Sequence, residues 1–230
     1  MNKAFARNFY SSPSSVGNKF RAKRIKPLTD AIKQIYQKKG GVSILDVGGK
    51  IRYWDIIDKD FLLYCKVKIV ILNIPGENLD DDTEICTHTT GDACDMQYYN
   101  DNHFYIVHSN SVIEHVGNWS KMKSFASEVR RVGKYLFVQT PNFWFPIEPH
   151  YMTPFFHWLP RYTRISLILK HTLGNRGQAD DLNDAMEKLE GQPRMINYAC
   201  FCLLFPDCTI IKEKFLFVTK SFIALRMAQL

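Results

Sequence analysis

No apolar run in this chain approaches the roughly 20 residues that a membrane span requires. Apolar stretches such as 69–72 and 201–205 fall far short of that. No apolar stretch of the signal-peptide kind opens the sequence, so nothing points to export and a cytoplasmic location is expected. CxxC pairs are lacking too. The six cysteines stand at 65, 86, 94, 200, 202 and 208, which predicts reduced thiols that mainly fill space. Internal repeats and low-complexity tracts do not occur. Acid is scarce in the first 40 residues, where ten Lys/Arg face Asp30 alone for a net of +9, while the other 190 residues carry −2. The formal charge of +7 therefore belongs to one N-terminal segment. Such a segment either meets an anion (nucleic acid, acidic lipid, a phosphorylated substrate) or forms a solvated helix face. Its aromatics, Phe5, Phe9, Tyr10, Phe20 and Tyr36, are not interleaved as a base-stacking platform requires.

What is present is an ordinary globular composition, 46% hydrophobic and 23% charged over 230 residues, enough for one domain with a full core. Residues 1–18 read as a mobile arm. The stripe Phe20, Ile25, Leu28, Ile32, Ile35 predicts a helix over 19–38, with Pro27 marking a break or a first turn. Buried strands are expected at 42–47, 67–74, 85–90, 104–109 and 134–139, with helices at 53–64 and 118–132 between them. This alternation predicts an α/β protein with a mostly parallel sheet and helices on both faces. Five prolines in 141–160 rule out a long regular element there. Helices at 161–173, 180–190 and 195–205 follow, and strands at 208–218 and 220–227, flanking Thr219, form a terminal antiparallel hairpin.

The chemistry concentrates at strand ends. Asp46, Gly48 and Gly49 close the first strand, and glycine there lets backbone approach a nucleotide-like ligand. A strand followed by a plain tight turn is the simpler alternative. Asn73 ends the second strand, 27 residues after Asp46. Asp92 and Ala93 follow the third, and the run Ser109-Asn110-Ser111-Val112-Ile113-Glu114-His115 follows the fourth. In a parallel sheet these four clusters converge on one rim.

With these residues in view, the chain resembles the class I S-adenosylmethionine-dependent methyltransferases of the methyltransferase-11 type. The likeness is narrowest to a bacterial subgroup with ILDVGG, an aromatic pair, a strand ending in Asn, SNSVIEHVG, and QTPN followed by FPIEPH. Here those are residues 44–49, Tyr53-Trp54, Leu72-Asn73, 109–117 and 139–150. The closing segment 204–225 matches as well, and the likeness covers about 19–227. It implies a single Rossmann-like domain over 19–230: a seven-stranded, mostly parallel sheet, a C-terminal antiparallel hairpin, and a substrate-lid insert at about 141–200. There are departures: Lys50 and Arg52 replace later glycines, Asn73 replaces an acid, and Tyr105 stands where relatives carry Asp.

The resemblance implies S-adenosylmethionine as cofactor. Asp46, Gly48 and Gly49 would shape the pocket for its methionine portion, Asn73 would meet the ribose, Asp92 and Ala93 would flank adenine, and Ser109 and Asn110 would border its centre. His115 is the first candidate base, with Glu114 and His150 beside it as catalytic candidates. The simpler readings are a loop-ordering histidine and a helix-start acid. Trp144, Phe145, Glu148 and Tyr151 would line the acceptor side, or the aromatic segment merely caps the sheet. Glu114, His115, Glu148 and His150 form a possible O/N metal set, but methyl transfer needs no metal and none is expected. The expected acceptor is a small molecule or a glycan- or lipid-linked one. The alternatives are a nucleic-acid methyltransferase using the basic segment, and a catalytically silent binding protein of the same fold.

Overall fold

The computed structural model describes the backbone of residues 16–76, 81–174 and 176–227, and side chains from Arg24 onward. Of the expected arm, 1–15 lie outside these residues, while 16–18 are already helical. Helix α1 (Val16–Lys39) leads into β1 (Val42–Val47), α2 (Ile51–Trp54), α3 (Lys59–Tyr64), β2 (Val67–Asn73) and β3 (Cys86–Thr90). Then come β4 (Phe104–Asn110), α4 (Trp119–Val132) and β5 (Gly133–Pro141). The chain closes with the ribbon β6 (Ile147–Glu148) and β7 (Thr153–Pro154), helices α5 (Arg161–Lys170), α6 (Leu182–Glu190) and α7 (Tyr198–Leu204), and strands β8 (Thr209–Phe215) and β9 (Val218–Arg226).

The seven long strands form one sheet in the order β3-β2-β1-β4-β5-β9-β8. All pairings from β3 to β5 are parallel, and β9 is antiparallel to both β5 and β8. The expected Rossmann-like architecture is therefore what the chain adopts. Successive strand residues point to opposite faces, and the sheet sorts them accordingly. Ile44, Ile106, Tyr135, Phe137 and Ile223 join one core with α1, α2 and α3. Leu45, Val107, Leu136, Val138, Phe222 and Ala224 join the other with α4 and α7. Because both faces are covered, the central strands β1, β4 and β5 read as largely apolar runs and not as alternating ones.

Most boundaries shift by one to three residues, and three departures have a visible cause. Helix α1 runs straight through Pro27. Leu28, Ala31, Ile32 and Ile35 are all buried in the first core, and the Tyr135 hydroxyl donates to the Pro27 carbonyl at 3.1 Å, so tertiary contacts outweigh the proline penalty. The expected helix 53–64 splits into α2 and α3, because the Asp58 side chain caps a new start by accepting from the Asp60 amide. The terminal hairpin turns at Leu216-Phe217 instead of Thr219, with Leu216 at φ +54°.

The segment between β5 and α7 builds a small core of its own from Tyr151, Phe156, Ile165, Ile168, Ala179, Ala185 and Leu189. Tyr151 stacks on Phe156 with ring centroids 4.6 Å apart. Its ring is thus interior to the insert.

Candidate active site

β1 leads to β2 and β3 on one side, and the chain then crosses back to lay β4 on the other side of β1. Adjacent connections diverge there and leave a crevice at the carboxyl ends of the strands. A cavity of about 960 Å³ occupies it, with Gly48, Asn73, Asp92, Ala93, His115 and Lys121 among its walls. Five of the residues singled out in the sequence thus meet on one space, drawn from three strand ends and the turn after β4.

Local geometry explains the glycines. Gly48 has φ +67°, and a Cβ there would lie 2.6 Å from Val112 Cγ2. A Cβ on Gly49 would lie 1.8 Å from an Asp46 carboxylate oxygen. The turn is pinned by the Gly48 amide donating to the Leu72 carbonyl at 2.8 Å and by Asn73 Nδ2 donating to the Gly49 carbonyl at 3.1 Å. Asn73 keeps its Oδ1 as an acceptor.

Asp92 accepts from the Cys94 amide at 2.8 Å and pairs with Lys121 Nζ at 3.1 Å. The amide bond and the lysine together hold its carboxyl below the usual carboxylate range. Burial pushes the neighbouring Cys94 thiol up to about 11.

Asp46, Gly49, Ser109 and Asn110 are not among the cavity walls. Asp46 is fully buried, with Trp54 Nε1 donating to Oδ2 at 2.8 Å and His108 Nδ1 to Oδ1 at 2.6 Å. Ser109 donates to the Val47 carbonyl at 3.2 Å, and Asn110 Oδ1 accepts from Arg24 at 3.0 Å. These side chains stand behind the cavity and brace it. Sequence reading assigned no part to Trp54 or His108. The available signals were the aromatic pair Tyr53-Trp54 for the former and, for His108, a histidine following the apolar run Phe104–Val107.

A second cluster adjoins the cavity through His115. One carboxylate oxygen of Glu114 and one ring nitrogen each of His115 and His150 lie within 4.8 Å of one another. The His115 and His150 rings meet edge to face at 5.1 Å. Glu114 is buried, its Oε2 accepting from Thr140 Oγ1 at 3.0 Å and its Oε1 unpartnered. Burial pushes the Glu114 carboxyl up to about 7. His115 is open to solvent on one side, yet crowding by protein on the other, with His150 and Arg176 nearby, holds its imidazole below the ordinary value. His150 Nδ1 donates to Glu148 Oε1 at 2.7 Å, and Glu148 Oε2 accepts from the Tyr151 amide.

Glu148 also lines a further cavity of about 570 Å³ whose walls include Arg161, Arg164, Gln192 and Arg194. Arg164 Nε and Gln192 Nε2 are buried there without partners. The path His115–His150–Glu148 thus joins the two cavities. Of the expected acceptor-side residues, Trp144 is exposed, against Phe143 and Trp158. Phe145 packs on Phe215 of the terminal hairpin, and Tyr151 belongs to the core of the insert.

No family model and no curated protein matches this chain. Among solved structures, it aligns with the CurJ carbon methyltransferase at a TM-score of 0.57 and 11% identity, over 99% of this chain and 59% of that one. The trans-methyltransferase CalH aligns at a TM-score of 0.49 and 13% identity, over 93% of this chain and 59% of that one. Magnesium protoporphyrin IX methyltransferase from Synechocystis PCC 6803 aligns at 0.45 and 12%, over 97% of this chain and 93% of that one. The chain spans about three fifths of the length of CurJ. Sheet order, terminal hairpin and the CurJ alignment together define the fold: it is that of the Rossmann-like S-adenosylmethionine-dependent methyltransferases.

Proposed function

We propose that this chain is an S-adenosylmethionine-dependent methyltransferase acting on a small-molecule, glycan-linked or lipid-linked acceptor. The observation that carries the reading is the convergence of Gly48, Asn73, Asp92, Ala93 and His115 on one cavity at the switch point of the sheet. Open α/β sheets bind nucleotide-like ligands at that place.

The residues fit the cofactor. Gly48 presents bare backbone to the cavity, and Asn73 Oδ1 is placed to accept from ribose hydroxyls. Asp92, beside Ala93, offers a carboxylate to an adenine amino group. Its pair with Lys121 is half exposed on both sides, 52% and 53%, so it is weak and yields readily to a ligand. When bound, S-adenosylmethionine supplies a sulfonium-activated methyl group for in-line transfer. The chain then has to orient the acceptor, exclude water and, for a protonated acceptor, remove a proton. His115 suits the last task, since its lowered affinity for protons keeps the ring neutral near pH 7. The arginine-lined cavity beyond Glu148 favours an acceptor with an anionic group, as a phosphate-linked glycan or lipid carries.

The test is calorimetric titration with S-adenosylmethionine and S-adenosylhomocysteine, with ATP and NAD as controls. Micromolar binding of the two sulfur nucleotides alone is expected. If neither binds, the reading fails and a catalytically silent member of the fold takes its place.

A further inference from the structure

Glu114, His115 and His150 come from two separate stretches of chain. The first two lie in the turn after β4, and the third lies in the ribbon between β6 and β7. Their ligand atoms nevertheless gather within 4.8 Å. A tetrahedral ion with bonds of roughly 2.1 Å holds its ligands about 3.4 Å apart, so small side-chain rotations close the set.

Three further features are those of a metal centre. Glu114 is buried with Oε1 unpartnered, an arrangement that costs free energy unless something satisfies the oxygen. Its other oxygen is anchored by Thr140. His150 has Nδ1 committed to Glu148 at 2.7 Å, which leaves Nε2 as the ring nitrogen available to a ligand. A carboxylate behind a ligating imidazole fixes ring tautomer and orientation in metal sites generally, and Glu148 is itself held by the Tyr151 amide. The cluster holds the Glu114 carboxylate and is backed by that of Glu148, with Arg176 near His115.

We propose that Glu114, His115 and His150 form a binding site for a divalent first-row transition cation, with Glu148 as the residue that positions His150. Two imidazoles and one carboxylate select zinc, cobalt, iron or manganese over calcium and magnesium, which prefer all-oxygen shells. Three protein ligands leave coordination positions open, the pattern of catalytic and not structural sites. His115 also lines the large cavity; with a cation bound its ring is a ligand and no longer the base, and an open position there is suited to hold an oxygen of the acceptor and ease loss of its proton. That last use rests on the cavity being the cofactor site; cation binding itself does not.

The test uses the full chain, stripped with chelator, and titrates Zn²⁺ by calorimetry and Co²⁺ by visible absorption. One Zn²⁺ per chain and visible d–d bands from Co²⁺ are expected. Glu114→Gln and His150→Ala should each weaken affinity at least about tenfold and erase the cobalt bands. Glu148→Gln should weaken affinity by about 10- to 100-fold with stoichiometry kept. Near-UV circular dichroism checks that each variant is folded, and His150→Ala, in the short ribbon, serves should Glu114→Gln fail to fold. Absence of binding overturns the proposal, and so does binding that the variants leave unchanged, which would place the ion on cysteines or surface histidines. Zinc binding without nucleotide binding would keep this site and discard the cofactor reading; the reverse pattern would do the opposite.

Discussion

Asp46 Oδ1 accepts from His108 Nδ1 at 2.6 Å, across directly registered positions of β1 and β4, with both side chains 1% exposed. The carboxylate also receives Trp54 Nε1, and its bulk is what Gly49 must lack a Cβ to accommodate. Asp46 therefore acts on the cavity through the turn it supports. Replacing it with alanine strands two buried donors, at a cost of about 1–3 kcal/mol each. Asp46→Ala should lower the urea midpoint accordingly, with Asp46→Asn intermediate. An unchanged midpoint in both would mean that the carboxylate does not brace the sheet.

Gly48 is constrained twice, by φ +67° and by Val112 at 2.6 Å from a notional Cβ. Gly48→Ala should cost about 1–3 kcal/mol and weaken S-adenosylmethionine binding. Adding Val112→Ala should recover only part, because it relieves the clash and not the backbone angle. Full recovery in calorimetry would assign the whole effect to sterics.

Arg24 grips Glu213 with two bonds of 2.9 Å and reaches Asn110 at 3.0 Å, tying α1 to β8 and to the end of β4. Charge-assisted bonds of this kind contribute about 2 kcal/mol. Arg24→Ala should lower thermal stability by that order. Arg24→Lys should fail to restore it, since one ammonium cannot span the carboxylate as a guanidinium does. Restoration by lysine would reduce the contact to simple charge.

Burial raises the Cys94 thiol to about 11 and the Cys208 thiol to about 12. Both stay protonated at pH 8, and the thiolate is the reactive form. Mass spectrometry after brief iodoacetamide treatment at pH 8 should find both unmodified in the folded protein and modified in urea. The sign of the linkage follows. The folded state holds these protons more tightly than the unfolded chain, so their contribution is complete below about pH 9 and is lost as pH rises further. Rapid folded-state alkylation at either cysteine would contradict the burial.

Much of the fold was legible because its causes are local. Runs such as VKIVILN, short and rich in β-branched residues, read as strands, and 118–132 carries its apolar stripe at helical spacing with Asn118 capping the start by accepting from Lys121. The strand-end residues Gly48, Asn73 and Asp92 were legible for the same reason, since parallel strands bring their carboxyl ends to one rim. The boundaries that moved were set by distant groups. Pro27 stays inside a helix because Leu28, Ala31, Ile32 and Ile35 are buried against the sheet, with Tyr135, 108 residues away, adding a bond to the Pro27 carbonyl. Tyr151 looked like an acceptor wall and proved to be interior, because the insert has enough apolar residues to build its own core.

By itself, the amino-acid order determined which segments are strands and helices, where backbone must bend without a side chain, and that one sheet edge gathers polar residues. Burial periodicity and φ requirements are properties of a few neighbouring residues, and they need no knowledge of the rest. Tertiary structure alone decided which of those polar residues face the cavity and which are spent behind it. Asp46 and His108 pair across neighbouring strands and leave the cavity to Gly48, Asn73, Asp92 and His115. Only the folded insert carries His150 to Glu114 and His115. A charged or imidazole group takes its role from the partner it meets, and that partner is chosen by strand order and loop path.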